Sequence, residues 1–163
     1  MKKNSFLIQI ILISITFLSS LLIAEEEKDF QNDKKNIESL LKEYFKEVDK
    51  KNTDGLFFYY DLPVILHFNS SIPTTIYEKK EFDEIFNVWK NSNNGNYSST
   101  KIDSLSLTEI RKNFICVADI TYSRLNAKNV VTQKKRSLYH LVKKEKNDSK
   151  WKIYMITSIE LTK

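Results

Sequence analysis

Apolar residues between Asn36 and Lys50 recur three and four positions apart, and lysines and glutamates fill the opposite positions. This spacing predicts an amphipathic helix with one buried face. The polar run 52–55, which contains Gly55, ends this helix. Thr53 or Asp54 is suited to cap a short second helix over residues 56–60.

The middle of the chain combines two short extended segments with another helix. Val64–Phe68 follows Pro63 and is apolar on both faces, which predicts a strand. Thr74–Tyr77 follows a second proline and predicts a small paired strand. Lys79–Asn91 has apolar residues at helical spacing and predicts a third helix, which ends before the run 93–95.

The remainder of the chain alternates between apolar and polar positions. Four segments predict long strands: Tyr97–Ile110, Asn113–Asn126, Val130–Glu145 and Lys150–Thr162. Only short polar connections separate them, and such connections join antiparallel neighbours. Helices followed by an antiparallel sheet indicate an α+β domain, with the helices covering one face of a curved sheet.

The first 24 residues have the character of a secretory signal. Met1–Lys3 provides a basic start, and Phe6–Ile23 is an apolar run that ends at Ala24 before three glutamates. Cleavage at Ala24 predicts export to the periplasm or the medium, whereas an uncleaved segment would be a membrane anchor. Residues 25–35 are charged and predict a flexible lead-in, so we expect the folded domain over residues 36–163.

Composition argues against several kinds of function. The 163-residue chain has a net charge of +5, but its lysines are scattered, so we expect no nucleic-acid partner. Cys116 lies in an apolar run and predicts a buried thiol. Two distant histidines and one cysteine form no metal-ligand pattern, and the two glycines form no phosphate loop, so we predict neither a metal nor another cofactor.

Several short motifs, together with the amphipathic first helix, resemble one known superfamily. They are Asp54-Gly55-Leu56 at the start of the second helix, Ala118–Arg124, Tyr139–Val142 and Trp151–Ile153. Over about residues 36–162 the chain resembles the nuclear-transport-factor-two-like, cystatin-like cone, which includes SnoaL-like polyketide cyclases and ketosteroid-isomerase-like proteins. The resemblance implies a ligand pocket between the helices and the concave sheet. It implies no particular activity, because the superfamily includes isomerases, dehydratases, hydrolases, cyclases and non-catalytic binding or dimerisation modules.

The period of two along each strand predicts which side chains face that pocket. On the last strand, Trp151 and every second residue after it are expected to face the helices. The residues expected to bind a ligand are Tyr44, Tyr59, Trp89, Tyr122, Arg124 and Tyr139. They would surround an apolar molecule with tyrosine hydroxyls and place Arg124 near the rim.

Two titratable residues are candidates for proton transfer. His67 lies in an otherwise apolar strand and could act as a general base, or it could be a partly buried histidine with one hydrogen bond. Asp61 is an acid near the expected mouth of the pocket, and a turn or cap role explains it equally well. Asp119 and His140 fall on the opposite strand faces and are not expected to reach the pocket.

Three functional hypotheses follow. The first is an exported domain that binds a small apolar or aromatic molecule, or a protein partner. The second is an isomerase, dehydratase or cyclase-type enzyme with His67 or Asp61 as its base. The third is a structural dimerisation module whose cone is filled by its own side chains. The outer sheet face, which includes Val117, Leu138 and Ile156, is expected to be partly apolar, and this predicts a homodimer through that face.

Overall fold

The computed structural model describes residues 30–68, 72–91, 97–144 and 150–160. The order of elements is α1 (residues 30–49), α2 (Thr53–Phe57), β1 (Tyr60–His67), β2 (Thr74–Ile76), α3 (Lys79–Asn91), β3 (Ser99–Arg111), β4 (Ile115–Leu125), β5 (Val131–Lys143) and β6 (Trp151–Ile159). The whole sheet belongs to one compact unit, Asn36–Lys163. The expected signal segment, residues 1–24, lies outside the described residues. Within the described ranges, no helix has the length and apolar character needed to cross a bilayer.

The six strands form one sheet in the order β2-β1-β6-β5-β4-β3. Strands β3 to β6 pair as consecutive antiparallel neighbours, which confirms the predicted meander and the α+β class. Strand β1 pairs antiparallel with β2 and parallel with β6. The parallel pairing was not predicted. A segment that is apolar on both faces is recognisable as a strand, but its sequence does not indicate which strand lies next to it.

Helix α1 presents the predicted buried face. Ile37 and Leu41 are fully buried, and Tyr44, Phe45 and Val48 are almost so. The helix begins earlier than predicted. Residues 30–35, which were predicted to belong to a flexible lead-in, are helical. These positions include glutamine and lysines, which are good helix formers and extend an existing helix at little cost.

The two shorter helices pack against the start of β1. Phe82 and Phe86 of α3 are buried and stack on each other with ring centroids 4.1 Å apart. Phe82 also contacts Phe57 of α2 and Tyr60 of β1, with centroids at 5.3 and 5.2 Å. Tyr60 was predicted to lie in the second helix, but α2 ends at Phe57 and Tyr60 begins β1.

A bulge interrupts the regular alternation of β6. His140 of β5 pairs with Met155, whereas the next residue, Leu141, pairs with Ile153. Tyr154 is therefore an extra residue on β6. An extra residue of this kind reverses the facing of every side chain beyond it.

The bulge corrects part of the predicted facing. Trp151 and Ile153 precede it and are buried, as predicted. Ile156, which was predicted to lie on the outer face, is only 1% exposed and pairs with the inward-facing Tyr139. Ser158, also predicted to face outward, lines a cavity on the inner face of the sheet.

Candidate functional site

A cavity of about 540 Å³ lies between the inner face of the sheet and the helices α1 and α3. Most of the lining residues are aromatic or aliphatic, but polar atoms, including tyrosine hydroxyls, make up slightly more than half of the lining surface. The lining residues are Tyr44, Phe45, Val48, Tyr60, Leu66, Phe68, Ile85, Phe86, Trp89, Tyr97, Tyr122, Arg124, Gln133, Lys135, Tyr139 and Ser158.

Three buried tyrosines form the most enclosed polar part of the wall. The hydroxyl oxygens of Tyr44 and Tyr60 are 2.8 Å apart and share one hydrogen bond. The ring of Tyr44 also packs edge-on against Tyr139, with centroids 5.6 Å apart. Burial raises the pKa of all three hydroxyls above that of an ordinary tyrosine. They remain protonated near neutral pH and therefore serve as hydrogen-bond donors, not as bases.

Arg124, near the end of β4, is held by neighbours from α1 and β3. Its Nη1 donates to Asp49 Oδ1 at 3.2 Å and to Thr100 Oγ1. The backbone N–H of Thr100 donates to Asp49 Oδ2 at 2.8 Å. The rings of Tyr97 and Tyr122 lie 4.1 and 5.0 Å from the guanidinium carbon. These contacts fix the orientation of the guanidinium at the cavity wall.

The inner face of β5 continues the polar part of the wall. Gln133, Lys135 and Tyr139 are separated by even numbers of residues and all line the cavity, as the period of two requires. Gln133 pairs with Arg124 across β4 and β5. The polar side chains of the two strands are therefore close together at one end of the cavity.

Five of the six residues expected to bind a ligand line this cavity: Tyr44, Trp89, Tyr122, Arg124 and Tyr139. Tyr59 is not among the lining residues. Its ring packs edge-on against Tyr44 at a centroid distance of 5.9 Å, and the next residue, Tyr60, lines the cavity instead.

The sequence analysis missed several lining residues for identifiable reasons. Gln133 and Lys135 could have been found by extending the alternation back from Tyr139. Tyr60 was missed because it was predicted to lie in the second helix and not at the start of β1. Ser158 could not be found, because the bulge at Tyr154 changes the phase of β6.

The two candidates for proton transfer do not line the cavity. Leu66 is a lining residue of β1, and its neighbour His67 falls on the alternate, half-buried side of the strand. Asp61 Oδ1 pairs with Lys144 Nζ at 2.6 Å. The structure therefore does not bring either residue together with the buried tyrosines.

The outer face of the sheet carries the other titratable residues that were expected to avoid the pocket. Asp119 accepts two hydrogen bonds from Arg136, at 2.9 and 2.6 Å, and these hold the pKa of its carboxyl below the usual value. Half-burial lowers the pKa of His140, whose ring is 6.0 Å from that of Tyr154. Dimerisation through this face remains a prediction.

Metal-ligating side chains are not clustered in the part of the chain that the structure describes. No group of three or more histidine, cysteine, aspartate or glutamate residues there is arranged to hold a metal ion. Cys116 is buried.

Comparison with known proteins identifies the fold. No family model and no curated protein matches the sequence. A nuclear-transport-factor-two-like protein of unknown function from Shewanella oneidensis is similar in structure, with a TM-score of 0.59 at 15% identity over 77% of this chain and 98% of that one. A cystatin-like protein of unknown function from Nostoc punctiforme gives 0.62 at 12% identity over 77% and 89%. A candidate ketosteroid isomerase from Shewanella frigidimarina gives 0.57 at 10% identity over 74% and 92%. The chain therefore has the nuclear-transport-factor-two-like, cystatin-like fold expected from its motifs.

Proposed function

We propose that this domain binds a small, mainly apolar or aromatic molecule in the cavity between its sheet and its helices. The observation that carries the proposal is the cavity itself, whose volume of about 540 Å³ and aromatic wall are typical of small-molecule sites. Polar groups in the wall, among them Arg124 and the tyrosine hydroxyls, can orient a ligand against the aromatic rings. If residues 1–24 direct export, the ligand is met in the periplasm or outside the cell.

The lining favours binding over proton-transfer catalysis. No aspartate, glutamate or histidine in the described part of the chain lines the cavity. The buried tyrosines have raised pKa values and do not act as bases near neutral pH. A hydroxyl pair such as Tyr44 and Tyr60 can donate a hydrogen bond to a ligand oxygen, but an isomerase also needs a base. An enzyme with His67 or Asp61 as base therefore has less support.

The cavity also argues against a module that fills its own cone. That hypothesis requires side chains to occupy the space between the helices and the sheet, and here about 540 Å³ is open. A dimer through the outer face is compatible with ligand binding, because the cavity lies on the other side of the sheet.

The proposal can be tested with N-phenyl-1-naphthylamine, a neutral dye whose emission rises in apolar sites. We expect saturable binding with a Kd on the order of 10–100 µM, as for a small apolar ligand without optimised contacts. Ser158→Phe places a ring in the cavity and should weaken dye binding at least fivefold. Ser106→Phe adds the same ring at an exposed position of β3 and is the matched control.

Two results would count against the proposal. Equal affinity of wild type and Ser158→Phe would place the dye outside the cavity. No saturable binding by a wild-type protein that unfolds cooperatively in urea would mean that the cavity does not accept apolar molecules of this size. Circular dichroism of both variants checks that they remain folded.

A further inference from the structure

The charged side chains at the cavity have one sign. Arg124 and Lys135 are cationic, and the described residues contribute no carboxylate to the lining. Asp49 pairs with Arg124 but is not a lining residue. A ligand in the cavity would therefore contact two cationic side chains and no carboxylate, while Asp49 offsets part of the charge of Arg124.

The hydrogen bonds that hold Arg124 leave half of its guanidinium available. Both start from Nη1, and neither Nε nor Nη2 makes an aligned hydrogen bond to a described residue, although Tyr97 lies beside the guanidinium. The side chain is only 11% exposed, so few water molecules reach these donors. An oriented pair of N–H groups matches the two oxygens of a carboxylate.

Lys135 adds a second cation from the neighbouring strand. It pairs with Tyr122 of β4, next to the pairing of Gln133 with Arg124. Its ammonium makes no ion pair with any other residue that the structure describes. The adjacent Lys134 is also exposed, but it faces the opposite side of β5 and does not line the cavity.

We propose that the cavity selects ligands with a single carboxylate at the end of an aromatic or apolar body, and that Arg124 and Lys135 bind this carboxylate. This inference rests on the function proposed above and specifies the class of ligand. Phe86 and Trp89 form an aromatic wall for the body. A monoanion fits better than a dianion, because Asp49 already neutralises part of the charge of Arg124.

The test compares two molecules of nearly the same shape, naphthalene-2-carboxylate and naphthalene-2-methanol. Each is titrated against the protein loaded with N-phenyl-1-naphthylamine, and displacement of the dye gives its affinity. We expect the carboxylate to bind about tenfold more tightly at pH 7, a modest value for hydrogen bonds to charged groups. High salt should reduce this preference and leave the alcohol unaffected.

Two lysine variants separate a specific contact from general attraction to a basic protein. Lys135→Met should reduce the preference for the carboxylate roughly threefold, as expected for a partly exposed charge. Lys134→Met removes the same charge from the other face of β5 and should leave the preference unchanged. Arg124→Met should abolish what remains. Arg124 also forms an ion pair with Asp49, so its removal affects the protein as well as the ligand. Retained binding of the dye is therefore the control that shows that Arg124→Met is folded.

The outcomes distinguish this inference from the proposed function. If the dye binds in the cavity but the carboxylate and the alcohol have equal affinities, the inference is wrong and the binding function stands. If Lys134→Met and Lys135→Met lower the preference equally, the attraction is general and the inference is likewise overturned. Failure of the dye to bind at all would overturn both.

Discussion

Two regions between helix α1 and the inner face of the sheet, a packed half and a cavity half, differ in the size and character of their side chains. In the packed half, defined by Ile37, Leu41, Cys116, Ala118, Leu141 and Ile153, every residue is fully buried. In the cavity half, the same elements α1, β4 and β5 carry Tyr44, Tyr122, Arg124, Lys135 and Tyr139 around open space. Aliphatic and small residues fill the first half, whereas long aromatic and polar residues surround the second without filling it. The comparison supports a division in which one half stabilises the fold and the other, by our proposal, binds a ligand.

A matched pair of leucine substitutions tests this division and has the largest expected effect. Leu141→Ala in the packed half should lower the free energy of unfolding by about 3 kcal/mol, because it leaves a cavity among fully buried neighbours. The loss of unfolding free energy in Leu66→Ala should be about 1 kcal/mol smaller than in Leu141→Ala. Leu66 already borders open space and therefore has fewer contacts to lose.

Urea denaturation measures both losses, and dye titration measures the site. Leu141→Ala should leave the Kd for N-phenyl-1-naphthylamine unchanged, whereas Leu66→Ala should alter it. A larger loss of stability in Leu66→Ala would mean that the cavity half contributes as much packing as the other half.

The tyrosine pair at the cavity should give an intermediate effect. Tyr44→Phe or Tyr60→Phe removes one partner of the 2.8 Å hydrogen bond and should cost about 1 kcal/mol, because the remaining buried hydroxyl loses its partner. In the double variant no unpaired hydroxyl remains, so its cost should be less than the sum of the two single costs.

Urea denaturation of the wild type, the two single variants and the double variant gives the four free energies of unfolding of a double-mutant cycle. Strict additivity would show that the two hydroxyls do not depend on each other. The variants should also bind oxygen-containing ligands more weakly while retaining affinity for the hydrocarbon naphthalene, which accepts no conventional hydrogen bond.

The ion pair on the outer face should give the smallest effect, and one that depends on pH. The hydrogen bonds from Arg136 hold the pKa of Asp119 below its usual value, so the pair contributes stability above about pH 4, the pKa of an unfolded aspartate. This contribution is lost as the pH falls through the lower pKa of the folded state. Both side chains are a third or more exposed, and solvent weakens the pair.

Asp119→Asn should therefore be slightly less stable than the wild type at pH 7, and the difference should vanish in acid. Dye binding should be unchanged, because Asp119 lies on the face opposite the cavity. Urea denaturation at several pH values provides the measurement. A stability difference that grows as the pH falls would contradict the assigned ion pair.

Periodic segments were predicted well because one face of each is more buried than the other. Helix α3 was predicted with its observed limits, Lys79–Asn91. Strands β3 to β6 lie within the predicted segments, apart from Arg111 at the end of β3. Their short connections also settled the antiparallel pairing. Cys116 was expected to be buried and is so.

The remaining features depend on contacts that a local pattern does not record. The parallel neighbour of β1 is set by packing, not by the residues of β1 alone. The bulge at Tyr154 comes from the pairing of two strands and changes the facing of Ile156 and Ser158. The position of Asp49 beside Arg124 joins residues that are 75 positions apart in the chain. For the site, periodicity is enough to place Tyr122, Arg124, Lys135 and Tyr139 on the inner face, but not to place Tyr60 there or Asp49 beside Arg124.

The most direct test of the account is a crystal structure of the protein with naphthalene-2-carboxylate. We predict that the rings occupy the cavity beside Phe86 and Trp89, with the carboxylate oxygens within hydrogen-bonding distance of Arg124 and Lys135. A cavity closed by its own side chains, with the ligand absent or bound on the outer sheet face, would contradict the account.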